Sequence, residues 1–217
     1  MFQSKLKKIK VKISIEKKLL RKGKKFIAGV DEVGRGALAG PVLACAVVYE
    51  VNNLKKAWDC FGDEINDSKL LSPVKRRQLF FRIKSFSLIG IGKVQSKIID
   101  RLNILEATRL AMRNAVLSLP LRPDIILVDG NVKLALPIPQ YQIIHGDRLS
   151  FVISSASIIA KVIRDRIMDK LHNFYSLYNF RKNKGYGTQE HISSLIKYGP
   201  SPVHRYSFTP VRNAIRK

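Results

Sequence analysis

The chain has 217 residues with 40 Lys and Arg against 16 Asp and Glu, a formal net charge of +24. That length fits one domain with a sizeable core, and 46% hydrophobic residues exclude a disordered chain. So large a basic excess points to a polyanionic partner, nucleic acid ahead of membrane, because the longest apolar run, Ala37 to Tyr49, is too short to span a bilayer and contains Pro41.

Residues 1–25 hold eleven basic residues and one acid, net +10, which leaves +14 on residues 26–217. Residues 5–15 alternate basic and apolar, a strand-like pattern that cannot stand alone, so 1–25 is expected to be a flexible basic arm. Glu16 to Lys22 has the makings of a short helix stopped by Gly23. The first strand is expected over 26–31 (Phe26-Ile27-Ala28-Gly29-Val30-Asp31), the second over 41–50, near-continuously apolar and so buried on both faces. Ser72 before Pro73 is a helix start, with the helix running over about 73–84. A third strand covers 86–95.

Residues 97–118 read as a short helix and then a longer one capped by Asn103. Ile104, Ala107, Ala111 and Ala115 give the longer helix one small apolar face suited to close packing on a sheet. Buried strands follow at 125–129 and 141–144, a long helix over 153–172, another over 188–198 ended by Gly199-Pro200, and an irregular end over 201–217. Strands that first meander and then alternate with helices specify a mixed α/β sheet.

Three of the strands lead into acids: Asp31-Glu32, Asp129, and Asp147 after His145-Gly146. Adjacent strand ends of an open α/β sheet are neighbours in space. Four carboxylates crowded together cannot all ionise unless positive charge joins them. Hard divalent cations prefer such oxygen ligands, and two of them clamp the oxygens of an in-line phosphoryl displacement. The chemistry suggested is hydrolysis of a nucleic-acid backbone. Gly34-Arg35-Gly36, directly after the first acids, offers backbone without Cβ atoms and one positive charge. Tyr186, set between glycines beside Lys184, can stack on a base or sugar. Ser68-Lys69 places a hydroxyl and a cation in a loop, as phosphate contacts do. Asp165, among basic residues on the long helix, reads as an ion pair and not as a ligand. Cys45 and Cys60 form no C-x-x-C pair and the four histidines have no ligand spacing, so neither a zinc site nor a disulfide framework is expected, and the compartment is reducing and cytoplasmic.

Seven segments together resemble ribonuclease HII, the bacterial type 2 ribonuclease H: Gly29-Val30-Asp31-Glu32-Val33-Gly34-Arg35-Gly36, Asp67-Ser68-Lys69-Leu70-Leu71-Ser72, Leu127-Val128-Asp129-Gly130, Gly146-Asp147, Ala156 to Asp165, Asn183-Lys184-Gly185-Tyr186-Gly187-Thr188, and His204-Arg205-Tyr206-Ser207-Phe208. They stand in the family's order over residues 26–210. The resemblance implies a ribonuclease H-like mixed five-stranded sheet flanked by helices, forming a catalytic domain over 26–217 with a helical part from about 173. It implies an endonuclease, acting as a monomer, that cuts RNA in RNA–DNA hybrids and incises duplex DNA 5′ of single ribonucleotides. By motif, Asp31, Glu32, Asp129 and Asp147 would bind two Mg²⁺ or Mn²⁺ ions. Gly34, Arg35 and Gly36 would read the 2′-hydroxyl, Tyr186 would stack at the RNA-to-DNA junction, and Ser68, Lys69 and Lys184 would contact substrate. Two departures are local: His145 stands where the family often has lysine, and Ser154-Ser155 replace a usual pair of alanines.

A non-catalytic basic RNA-binding protein would explain the charge but not carboxylates gathered at strand ends. An exonuclease of the wider superfamily would need a free end. A circular duplex with one ribonucleotide separates these readings, since only an endonuclease nicks it.

Overall fold

The computed structural model describes residues 13–65 and 71–215. In chain order the elements are α1 (Ser14–Arg21), β1 (Phe26–Val33), β2 (Val42–Glu50), α2 (Val51–Phe61), α3 (Pro73–Phe86), β3 (Leu88–Val94), α4 (Ser96–Leu102), α5 (Ile104–Leu117), β4 (Ile125–Asp129), β5 (Gln140–Ile143), α6 (Gly146–Leu149), α7 (Phe151–Phe174), α8 (Phe180–Asn183), α9 (Gln189–Tyr198) and α10 (Thr209–Ile215). The five strands form one sheet in the order β3-β2-β1-β4-β5. β1 and β2, and β2 and β3, pair antiparallel, whereas β1 with β4 and β4 with β5 are parallel. This is the mixed sheet that the sequence predicts.

The central strands are apolar on both faces because helices cover both. Ile27, Leu43, Cys45 and Val47 meet α2, α3 and α7, while Ala28, Val30, Ala44 and Ala46 meet α5. The small face of α5 lies hard against β3. A Cβ on Gly92 would fall 1.9 Å from the Ala111 carbonyl oxygen, and one on Gly90 2.0 Å from that of Ala115. The caps expected from sequence are present: Ser72 accepts from the Lys75 amide, and Asn103 from the amides of Leu105 and Glu106.

Three expectations change. β5 is an edge strand and not a buried one: Tyr141 and Ile144 are 51% and 66% exposed. Its apolar run reads like a buried strand, but nothing pairs with its outer side in this sheet order. The chain end is not irregular, since Thr209–Ile215 is helical, with Pro210 in the first turn where its missing N–H is harmless. The basic arm is attached to the body from Ile13 onward. Ile13, Glu16 and Leu19 of the α1 region are buried, and the Glu16 carboxylate accepts from Ser150 Oγ (2.6 Å) and from the Val152 amide (3.2 Å) at the start of α7. Residues 1–12 lie outside the described residues. Among those described, no helix is long and apolar enough to cross a membrane.

α7 joins the two parts of the molecule. Its first turns touch β1 so closely that a Cβ on Gly29 would lie 2.2 Å from the Val152 carbonyl carbon. Its far end, at Met168 and Leu171, packs in a second small core with Leu38, Tyr178, Phe180, Leu195 and Val211. That core belongs to the helical C-terminal part.

The α5–β3 contact gives a direct test. Gly92→Ala must push a helix backbone away, so it is expected to destabilise the protein by about 1–3 kcal/mol through overpacking. Urea unfolding followed by circular dichroism would measure this; an unchanged midpoint would contradict the contact.

Candidate active site

Strand geometry assembles the acids. β1 and β4 run parallel, with Val30 opposite Val128 as their last paired rung. Asp31 and Asp129 therefore stand side by side one step past that rung, Asp31 still paired with Cys45 of β2 and Asp129 with Ile143 of β5. Glu32 reaches the same point, and donor oxygens of Asp31, Glu32 and Asp129 all lie within 4.8 Å of one another. Asp31 is buried, and the other two are partly so.

The crowding shows in their protonation. Burial foremost, and then the charges of Glu32 and Asp129, push Asp31 well above the usual carboxylate range; a hydrogen bond from Ser157 pulls the other way. Glu32 is also raised, by burial and by Asp129, and this is offset by Arg35, whose Nη1 stands 3.3 Å from Glu32 Oε1. Three hard oxygen donors with too much negative charge between them fit a divalent cation. Asp31, Glu32 and Asp129 are the residues that could hold it.

Asp147 arrives by another route. Asp129 Oδ1 accepts from the Gly146 amide at 2.6 Å, which ties α6 to the end of β4. His145 takes a left-handed conformation (φ 56°) to make the turn and is exposed. Ser154 Oγ donates to the Asp147 carbonyl, so one of the two unusual serines fixes α7 to this turn. The Asp147 side chain is buried and lines the same cleft, outside the 4.8 Å trio.

That cleft, about 480 Å³, is lined by the four acids and by Val33, Arg76, Ser157, Lys161 and Tyr186. Arg76 and Lys161 also line an adjoining groove of about 490 Å³, with Arg77, Arg166, Arg181 and Lys184 along it. Positive charge thus begins where the carboxylates end. Lys184 lies in the groove and not in the cleft, paired with Asp169. Lys161 pairs with Asp165 at 2.6 Å, so Asp165 is the ion-pair residue expected from sequence. A larger groove of about 660 Å³ between α1 and α2 is mostly apolar and holds no carboxylate cluster.

The turn after Glu32 is shaped by two buried arginines. Arg164 donates to the carbonyls of Pro41 (3.1 Å), Lys184 (2.9 Å) and Ala39 (3.2 Å). Arg205 donates twice to Gly40 and, at 2.8 Å, to Arg35. Gly34 has φ 92°, and a Cβ there would stand 2.2 Å from Arg164 Nε, so glycine is required twice over. Gly36 has open space where a Cβ would be. Ala37 bridges to Tyr186, and Arg164 Cζ lies 5.4 Å from the centre of the Tyr186 ring.

The structure therefore brings Asp31, Glu32, Asp129, Asp147 and Tyr186 around one cleft, with Gly34-Arg35-Gly36 continuing from its acidic strand. Ser68 and Lys69 lie outside the described residues. Arg76, Ser157 and Lys161 are additions to the residues singled out from sequence. Ser157 and Lys161 fall in the Ala156 to Asp165 segment that carries the resemblance, four residues apart and so on the same face of α7, whereas Arg76 has no such signal.

Known proteins with this pattern can now be set beside the chain. A family model described as Ribonuclease HII matches residues 28–211. A ribonuclease HII of Caldicellulosiruptor bescii is 50% identical over 195 residues, covering 89% of this chain and 91% of that protein. The crystal structure of ribonuclease H2 from Pyrococcus horikoshii OT3 superposes with a TM-score of 0.72 at 28% identity, over 88% of this chain and 97% of that one. Bst-RNase HIII in complex with Mn²⁺ is alike in fold, with a TM-score of 0.74 at 15% identity over 89% and 70% of the two chains.

The raised carboxylates predict a linked response to metal and pH. Raised folded-state values mean that their contribution to stability is full below the ordinary carboxylate range, about pH 4, and is lost as pH rises through those values. A cation would replace the missing protons, so Mg²⁺ is expected to raise Tm more at about pH 8 than at about pH 5. Calorimetry with Mg²⁺ or with chelator measures the increments; equal increments at both pH values would argue against a metal at these acids.

Proposed function

The chain belongs to the ribonuclease HII family, and from that membership we propose that the acidic cleft hydrolyses the RNA strand of RNA–DNA hybrids and incises duplex DNA on the 5′ side of a single embedded ribonucleotide. As a family member it is a ribonuclease H endonuclease. The cut would leave a 3′-hydroxyl and a 5′-phosphate, with water adding to phosphorus and the 3′ oxygen leaving. One observation carries the reading: three carboxylates within 4.8 Å of one another share a cleft with a tyrosine and two basic side chains, in a chain of charge +24.

Asp31, Glu32, Asp129 and Asp147 would hold two divalent cations, Mg²⁺ or Mn²⁺. When bound, these supply Lewis-acid stabilisation of the attacking and leaving oxygens. The chain's own groups do the rest. Ser157 orients Asp31 through its hydrogen bond. Arg76 and Lys161, shared between cleft and basic groove, draw the phosphate backbone in and position it. The groove's further lysines and arginines extend that track, a sequence-independent grip that salt would weaken.

Recognition of a ribonucleotide must rest on its 2′-hydroxyl, both donor and acceptor. Gly34-Arg35-Gly36 supplies main-chain groups for it, and the open side of Gly36 lets a sugar come close. Tyr186 would pack its ring on the following sugar, where a second 2′-hydroxyl would crowd it. The site would then prefer DNA on the 3′ side.

Two substitutions test these roles. Asp129→Asn is expected to lower the rate of nicking of a circular duplex with one ribonucleotide by about 10²–10³ or more, with the fold intact by circular dichroism. Retention of about a tenth of the wild-type rate would remove Asp129 from the site. Tyr186→Ala is expected to lower kcat/KM more on the single-ribonucleotide duplex than on a long RNA–DNA hybrid. Equal fractional losses would make Tyr186 a general binding residue and not a junction reader.

A further inference from the structure

Beneath the Tyr186 loop lie two buried histidines that the chemistry above does not use. His191, on α9, and His204 are 0% and 1% exposed. Their Nε2 atoms face each other at 3.0 Å. The other nitrogen of each ring meets a fixed main-chain partner. His191 Nδ1 lies 2.9 Å from the carbonyl oxygen of Tyr186. His204 Nδ1 receives the Ser201 amide at 3.0 Å, with Ser201 Oγ at 2.8 Å and the Ser201 carbonyl oxygen farther off at 3.3 Å.

These partners leave one neutral arrangement. A carbonyl only accepts, so His191 must carry its proton on Nδ1 and present a lone pair at Nε2. The facing His204 Nε2 must then carry its proton, which leaves a lone pair at His204 Nδ1 for the Ser201 amide, nearer than the Ser201 carbonyl. The two Nε2 atoms then match, donor to acceptor. The direction runs from the Ser201 amide through His204 and His191 to the Tyr186 carbonyl. Burial lowers both imidazoles, His204 to about 4 with the neighbouring His191 adding to the effect, so both are neutral near neutral pH. Tyr178 and Phe180 box the pair, with ring centres 4.6 Å and 5.6 Å from His204.

The line of bonds ends on the residue that the proposed function places at the junction. The Tyr186 carbonyl also accepts from the Thr188 amide at 2.8 Å, and Ala39 bridges to His204, so the pair ties the tyrosine loop to the chain that follows Gly36. We propose that His191 and His204 form a two-imidazole strut of fixed tautomers that holds the Tyr186 backbone at a set distance from the acidic cleft, making both histidines positioning residues for junction recognition. This rests on the reading of Tyr186 as the junction residue. Neither histidine touches substrate. Their effect is on selectivity between substrates and not on the hydrolytic step.

Full-length protein labelled with ¹⁵N tests the tautomers by two-bond ¹H–¹⁵N correlation. The expected spectrum has His191 protonated at Nδ1 and His204 at Nε2; any other neutral pair overturns the strut. Kinetics test its use. His191→Leu is expected to lower the ratio of kcat/KM, single-ribonucleotide duplex over long hybrid, by about 10-fold, the scale of a small misplacement. His191→Asn, whose amide can still donate to the Tyr186 carbonyl, is expected to recover a large part of that ratio. Equal losses on both substrates with His191→Leu, while Tyr186→Ala still changes the ratio, overturn the strut and leave the tyrosine reading standing. If Tyr186→Ala itself leaves the ratio unchanged, the junction reading fails and the strut's purpose with it. Should His191→Leu fail to fold, the spectrum and His191→Asn decide: a ratio for His191→Asn no better than that of Tyr186→Ala counts against the proposal.

Discussion

Two guanidinium groups inside the protein hold the site in shape. Arg164 and Arg205 are fully buried, and their donors reach the main-chain carbonyls of Arg35, Ala39, Gly40, Pro41 and Lys184. A buried charge is tolerable only when its donors are satisfied. Here the partners are carbonyls that a turn of this shape would otherwise leave unpaired. The arrangement is therefore mutual: the arginines need the turn, and the turn needs the arginines. Arg164 comes from α7 and Arg205 from the chain before α10, so three distant segments meet at one turn. Gly34 follows from the same constraint, because Arg164 fills the space that a side chain would take.

This clamp sets where opposite charges stand. Asp31, Glu32 and Asp129 are placed by β1 and β4, rigid because both strands are buried on both faces. The tyrosine is placed by the C-terminal helical part, which has its own small core and reaches the sheet through α7 and the clamped turn. The cleft thus has one wall from each part of the molecule. Negative charge is concentrated at the sheet end and positive charge along the α3–α7 groove, so the excess of +24 is local as well as global. A polyanion would be drawn along the groove.

Membership of the ribonuclease HII family narrows the activity, yet family alone does not say how a residue does its work. The geometry adds Ser157 holding Asp31, Gly146 holding Asp129, and the histidine pair under Tyr186. Each is a polar group whose partner lies far away in the chain or on another element. Together they show how a site built partly on turns is made rigid: side chains from neighbouring helices take up its free main-chain groups.

What could be read from the sequence was whatever local pattern determines. The apolar runs ending in Asp31-Glu32 and Asp129 are complete in a few residues, and so are the Ser72 and Asn103 caps and the small face of α5. The mixed sheet also followed, because the order of strands and helices restricts the topologies available. Local pattern misled where burial depends on neighbours. The Tyr141–Ile144 run looks like an interior strand but sits at an edge, Pro210 looks like a breaker but opens a helix, and Glu16 looks like part of a solvated arm but caps α7 from inside the core. Arg164, Arg205, His191 and His204 gave no such signal. A buried arginine or histidine is recognised only by what surrounds it, and their partners lie from 3 to 170 positions away in the chain. Sequence alone specified the acids and the strands that carry them; the tertiary structure decided which distant groups would neutralise, orient and clamp them, because hydrogen bonds and charge depend on distance in space and not along the chain.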